Sequence, residues 1–202
     1  MPRKTFREIV SDVTSRSRRD LRGTPKLRAA LDRFGVDVSG RIALDVGAAA
    51  GGFTTVLLER GAAKVYAVDA GHGQLLGSLR QDSRVVNLEA TNIADLSAGL
   101  VPDPIQLFTV DVSYLALRRA VAQLARVEFA AGAELIGLVK PMFELALAEA
   151  PTDRATIDQA LDRAVDGVTS AGWTVLSTMD SVVTGAKGAP ELLIHARWSS
   201  GA

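Results

Sequence analysis

Two charged side chains stand where charge calls for a reason. Asp111 directly follows the apolar run IQLFTV, and Lys140 directly follows ELIGLV. Open α/β sheets gather their ligands at the carboxyl ends of their strands, so an acid and an amine placed there can position a reacting group and move a proton. Each also has a plain alternative: Asp111 as the cap of a following helix, Lys140 as a solvated strand-end charge. A third apolar run, IALDV, leads through Asp45 into Gly47-Ala-Ala-Ala-Gly51-Gly52-Phe53. There the chain turns on glycines and enters a helix at once, so that backbone amides can come close to a ligand.

The spacing Gly-x-x-x-Gly-Gly differs from the Gly-x-Gly-x-x-Gly of dinucleotide sites, and an acid precedes the first glycine, where it could meet an ammonium group. This favours S-adenosylmethionine over a nicotinamide cofactor, with a ligand-free packing turn as the alternative. Asp69 ends the next apolar run, 17 residues beyond Gly52. A carboxylate at that point can accept hydrogen bonds from both ribose hydroxyls of an adenosine, or can cap the segment that follows. Asn92, after the third run, is placed to reach the adenine.

The elements that must hold these residues alternate in type. Short β-rich runs at 42–46, 65–68, 85–88, 105–110 and 134–139 are separated by helical patterns at 53–60, 73–80, 114–129 and 153–170. Gly61 stops the first helix, and Thr152 with Asp153 introduces the last. This is the rhythm of a doubly wound parallel sheet. WTVLSTM (173–179) and ELLIHARW (191–198) follow with no helix between them, so they can pair as an antiparallel hairpin at the sheet edge. Five βα units with such a hairpin have the look of the common methyltransferase fold, whereas dehydrogenases usually end with another parallel crossover.

Composition sets the outer bounds. The 202 residues, 48% of them apolar, suffice for one core. No run approaches the roughly 18 apolar residues that cross a bilayer, and MPRKTFREIV has no secretory block, which predicts a cytoplasmic protein without membrane partners. With no cysteine and only His72 and His195, no metal site is expected. Net charge is zero but uneven: residues 1–28 hold nine Lys/Arg against three Asp/Glu, the remainder 14 against 20. A basic arm over 1–24 in front of a catalytic domain over 25–202 can track a phosphate backbone, or can be a solvated terminus.

The segments ALDVGAAAGGFT, GAAKVYAVDAGHGQLLGSLRQDSRV, EATNI, VDVSYLAL, LVKPMFE and GAPELL, in that order, resemble the TlyA branch of the FtsJ-like ribosomal-RNA 2′-O-methyltransferases across residues 20–197. The resemblance implies a Rossmann-like class I methyltransferase fold: a mostly parallel seven-stranded sheet, helices on both faces and a C-terminal antiparallel hairpin. It implies an enzyme that takes its methyl group from S-adenosylmethionine. It also implies a Lys-Asp-Lys-Glu tetrad at Lys26, Asp111, Lys140 and Glu191, with Lys26 just before the helix that precedes the first strand. The cofactor would lie against Asp45, Gly47, Ala49, Gly51, Gly52, Phe53, Asp69, Ala70, Asn92 and Asp111. Lys140 would be the base, its proton loosened by burial and by the second cation Lys26, with Asp111 positioning it and Glu191 holding Lys26.

Departures from the family pattern fall near both pockets. Ala49 and Ala50 stand where Ser and Thr are common, His72 where a tyrosine is usual, EATNI lacks an arginine after its glutamate, and Ala189 occupies the asparagine place of Gly-Asn-x-Glu. Relatives also usually begin with a small RNA-binding domain for which this chain has no room, and some have been described as haemolysins. The expected acceptor is a ribose 2′-hydroxyl in RNA, ribosomal above all. The alternative is a small acceptor such as a free nucleoside, which a closed apolar pocket would favour.

Overall fold

The computed structural model describes residues 21–199. Seven strands form one sheet: β1 (Ile42–Val46), β2 (Lys64–Val68), β3 (Val85–Leu88), β4 (Ile105–Val110), β5 (Phe129–Val139), β6 (Trp173–Asp180) and β7 (Leu192–Trp198). Their order is β3-β2-β1-β4-β5-β7-β6. The first five run parallel, while β7 is antiparallel to both β5 and β6. The predicted seven-stranded sheet with its C-terminal antiparallel pair is therefore present, with β7 inserted between β5 and the edge strand β6.

Helices cover both faces, so the parallel strands read as nearly unbroken apolar runs. Helices α1 (Gly23–Phe34) and α2 (Gly52–Glu59) lie over the face where Ala43, Val65, Ala67 and Leu107 join Leu27, Leu31, Val56 and Leu57. Leu44, Tyr66, Phe108 and Leu135 point to the other face, which is closed by α4 (Leu117–Gln123) and α6 (Arg154–Ser170). Helices α3 (Gly77–Arg80) and α5 (Pro141–Glu144) are single turns. The strand order reverses between β1 and β4, which run parallel, and at such a switch point the loops after the strands splay apart and leave a crevice.

Several boundaries differ from the sequence reading for identifiable reasons. The helix expected over 73–80 shrinks to 77–80, because the amides of Gln74 and Leu75 donate to the Glu89 carboxylate instead of a helix ladder. The helix expected from 114 begins at Leu117, and residues 112–116 form a loop beside the crevice. Strand β5 begins at Phe129 rather than 134. Phe129 pairs with Ile105 and packs edge-on against Phe108 and Trp198, drawing five more residues into the sheet. Lys26 lies inside the first half of α1 rather than before it, and Gly23 and Thr24, expected in the basic arm, also belong to that helix. Leu21 and Arg22 of the arm line the crevice, and residues 1–20 lie outside the described residues. Among the described residues no helix is long and apolar enough to cross a membrane.

Candidate active site

The turn after β1 is shaped by its contacts with the protein. Gly47 has φ 87°, and a Cβ there would sit 2.3 Å from the Asp111 carbonyl oxygen, so glycine lets the turn lie directly on the end of β4. At Gly51, φ 96°, a Cβ would strike the Leu79 side chain at 2.1 Å. The sequence reading had these glycines admit a ligand; they first admit neighbouring chain. The Gly47 and Ala48 amides both donate to the Val68 carbonyl, at 2.8 and 3.0 Å. Ala49, left-handed at φ 45°, donates its amide to Asp69 Oδ2 at 2.8 Å.

Five residues expected to touch the cofactor, Asp45, Gly51, Asp69, Ala70 and Asn92, lie outside the crevice lining. Asp45 was expected to face an ammonium group, yet it is fully buried beneath the turn and does not line the crevice. Its two carboxylate oxygens accept from the hydroxyls of Thr54, 2.7 Å, and Thr109, 2.8 Å, tying the start of α2 to β4. Burial pushes its carboxyl up to about 6, against those two hydrogen bonds and with help from the negative charge of Asp111. Asn92 is exposed and accepts the Ala94 amide at 3.0 Å, capping a short turn of 3₁₀ helix at Ile93–Asp95. Ala70 is exposed and, like Asn92, outside the crevice lining. Asp69 is half-buried; beyond Ala49 it accepts the Gly71 amide at 2.7 Å, and each oxygen keeps a lone pair for a further donor.

Lys26, Asp111, Lys140 and Glu191 come from four distant stretches and line one crevice of about 430 Å³, together with Gly47, Ala49, Gly52 and Phe53 of the turn. That volume lies within the usual range for a small-molecule site. The four form two ion pairs. Lys26 Nζ stands 2.5 Å from Glu191 Oε2, with each side chain 6% exposed. Lys140 Nζ stands 2.6 Å from Asp111 Oδ1, with the lysine side chain 13% exposed. Lys26 reaches the crevice because α1 docks end-on against α2, where Gly23 and Gly52 leave their backbones nearly in contact. Glu191 is covered by the loop before β7, whose Gly185 has no room for a Cβ, since one would lie 2.3 Å from Oε1.

The charge distribution departs from the sequence argument on one point. Lys26 was expected to loosen the Lys140 proton by like charge, but Glu191 neutralises Lys26 at contact distance, which leaves two locally neutral pairs. The sequence reading also missed two groups. Lys140 Nζ donates to the Val112 carbonyl at 2.9 Å and to Ser113 Oγ at 2.8 Å. Glu144, the last residue of LVKPMFE, is buried 3.3 Å from Arg118 Nε. Burial pushes its carboxyl up, while the amides of Leu117 and Arg118 hold it down, so that it joins α5 to the start of α4. Neither was legible in residue type alone, although both lie inside segments that carry the family resemblance.

A further part of the crevice lining is apolar, contributed by Pro141, Met142, Phe143, Ala186, Ala189 and Pro190. His72 is exposed and outside it.

Comparison with known proteins places this geometry in a lineage. The family model described as FtsJ-like methyltransferase matches residues 20–198. Hemolysin A of Brachyspira hyodysenteriae is 35% identical over 198 residues, which is 93% of this chain and 79% of that protein. The 16S/23S rRNA (cytidine-2′-O)-methyltransferase TlyA of Mycobacterium tuberculosis is 45% identical over 124 residues, 61% of this chain but only 46% of that longer protein. Among solved structures, a hemolysin-like protein of Streptococcus thermophilus superposes with a TM-score of 0.84 at 31% identity, over 89% of this chain and 67% of that one. Fibrillarin of Aeropyrum pernix, in complex with S-adenosyl-L-methionine, shares the fold alone, with a TM-score of 0.59 at 15% identity. The chain belongs to the FtsJ-like methyltransferase family, and its fold is that of the S-adenosylmethionine-dependent enzymes.

Proposed function

We propose that the chain transfers the methyl group of S-adenosylmethionine to a ribose 2′-hydroxyl of RNA, with ribosomal RNA as the substrate. The observation that carries the proposal is the convergence of the pairs Lys26–Glu191 and Lys140–Asp111 in one crevice against the glycine turn. The mycobacterial relative, named as an rRNA (cytidine-2′-O)-methyltransferase, supports the choice of acceptor. The crevice suits the donor in its chemistry: Gly47, Ala49, Gly52 and Phe53 line a wall without side-chain charge, and the Asp69 carboxylate, held by two amides, stands behind the turn with lone pairs for ribose hydroxyls. When bound, the donor supplies a methyl group already activated by its sulfonium, so the chain must align an in-line attack and take up one proton.

Lys140 is the residue for the proton. Asp111 fixes its amine in direction, and Glu191 fixes Lys26, whose buried ammonium is a hydrogen-bond donor for the acceptor ribose. The basic segment at the N-terminus supplies contacts to RNA phosphates. The apolar wall of Met142, Phe143 and Pro190 favours a second reading, a small nucleoside acceptor.

Incubation with methyl-labelled cofactor and, separately, ribosomal subunits, bare RNA and nucleosides tests both readings. Label is expected in RNA, and Lys140→Ala is expected to abolish it while calorimetric cofactor affinity stays nearly unchanged. Label confined to nucleosides selects the second reading, and substantial turnover by Lys140→Ala removes Lys140 from the role of base.

A further inference from the structure

The hydrogen-bond count at Lys140 leaves one question that the ion pairs do not answer. Nζ has three acceptors around it: Asp111 Oδ1 at 2.6 Å, the Val112 carbonyl at 2.9 Å and Ser113 Oγ at 2.8 Å. Three acceptors match the three hydrogens of an ammonium. A lysine that is to receive a proton must first be the neutral amine, which has two hydrogens and one lone pair. One of the three partners must then stop accepting. A carboxylate and a backbone carbonyl can only accept, whereas a hydroxyl can turn and donate. Ser113 is therefore the one partner able to follow Lys140 through a change of protonation state.

Position points the same way. Ser113 is exposed and lines the crevice, while the Lys140 side chain is only 13% exposed behind it. Both residues line the crevice, and Ser113 Oγ is the more exposed of the two groups, 2.8 Å from Nζ.

We propose that Ser113 is a catalytic proton relay, its hydroxyl standing between the acceptor hydroxyl and Lys140; this rests on the methyl-transfer reading given above. In the step, the acceptor O–H bond breaks and Ser113 Oγ takes that proton. Ser113 gives its own hydrogen to the Nζ lone pair, and the acceptor oxygen takes the methyl group from the sulfonium. Lys140 ends as an ammonium bonded again to all three acceptors, the donor ends as a neutral thioether, and the ammonium proton leaves to solvent before the next turnover. Serine is unchanged over the cycle, and no further reactant is needed.

The relay makes a prediction that a merely supporting hydroxyl does not. Two protons move in the transition state, so single-turnover rates measured across mixtures of light and heavy water should follow a bowed curve in the wild-type protein. Ser113→Ala should lower the methyl-transfer rate about 100-fold, the low end for a lost proton-transfer group, and should make the remaining curve linear. Ser113→Thr, which keeps the hydroxyl, should restore the rate to within several-fold together with the bowed curve. Cofactor affinity measured by calorimetry should not change in either variant. A Ser113→Ala protein as fast as wild type overturns the relay alone, as does a slow one that keeps the bowed curve. A wild-type protein that labels no acceptor overturns the methyl-transfer reading and the relay with it.

Discussion

Replacing Lys26 by methionine separates the stability of the crevice from its chemistry. The substitution keeps the length and most of the volume of the side chain but removes the amine 2.5 Å from Glu191. The carboxylate is then left 6% exposed under the loop in which Gly185 packs closely against it. An ion pair broken from one side in a buried setting costs about 3–5 kcal/mol, nearly all of it the burden of the orphaned charge. Glu191 faces a crevice that admits water, so the lower end, about 3 kcal/mol, is expected here. In a chain of this size each kcal/mol lowers the melting temperature by roughly 2–4 °C, which puts the loss at roughly 6–12 °C.

The double substitution Lys26→Met with Glu191→Met removes both charges and should recover most of that loss, since paired apolar replacements of buried ion pairs are often neutral or better. Methyl transfer should stay low in both proteins. Scanning calorimetry on wild type, both single variants and the double variant closes the cycle. A Lys26→Met protein that melts within 2 °C of wild type, with 2 °C set at about 1 kcal/mol or less, would show that the pair is solvated and that burial does not hold Lys26 in place. A double variant no more stable than the single ones would refute the orphaned-charge account.

Two further outcomes follow from the same geometry. Asp45, raised from 3.8 to about 6, binds its proton more tightly when folded than when unfolded, so the stability it contributes is present at low pH and is lost as pH rises across that interval. Asp45→Asn, neutral throughout, should therefore gain on wild type by about 2 kcal/mol between pH 4 and pH 7, read as the difference between urea-unfolding free energies; a flat difference would mean that burial does not control this carboxyl. Asp69→Ala should weaken cofactor binding by roughly tenfold to a hundredfold, as expected for losing hydrogen bonds to a charged acceptor, and should lower the melting temperature because left-handed Ala49 loses its anchor. An unchanged dissociation constant would remove Asp69 from the ribose site.

What the residues alone determined is local or periodic. Alternating β runs and helical patterns specified the five parallel units, because a strand buried on both faces must be apolar throughout and a helix must be so at its own period. The absence of a helical pattern between 179 and 191 specified the antiparallel pair. Strand ends exposed Asp111 and Lys140 as candidates, since a charge beside an apolar run is visible without coordinates. Short-range competition was less legible: Glu89 taking the Gln74 and Leu75 amides, or Phe129 joining an aromatic cluster, depends on partners 14 residues or more away in the chain.

The family resemblance implied which charges pair, but only the tertiary structure set their contact distances and burial. Lys26 and Glu191 lie at opposite ends of the chain, and nothing in either segment states that α1 docks on α2 or that the loop before β7 folds over the carboxylate. Asp45 shows the reverse case: its type and place beside a glycine turn suggested a ligand, while packing put two threonine hydroxyls against it and sealed it off. Ser113 acquires significance only from its 2.8 Å approach to Lys140 across 27 residues. Hydrophobic pattern is written along the chain because burial acts on each residue separately, whereas hydrogen bonds and ion pairs depend on distances of a few ångströms that only the completed fold sets.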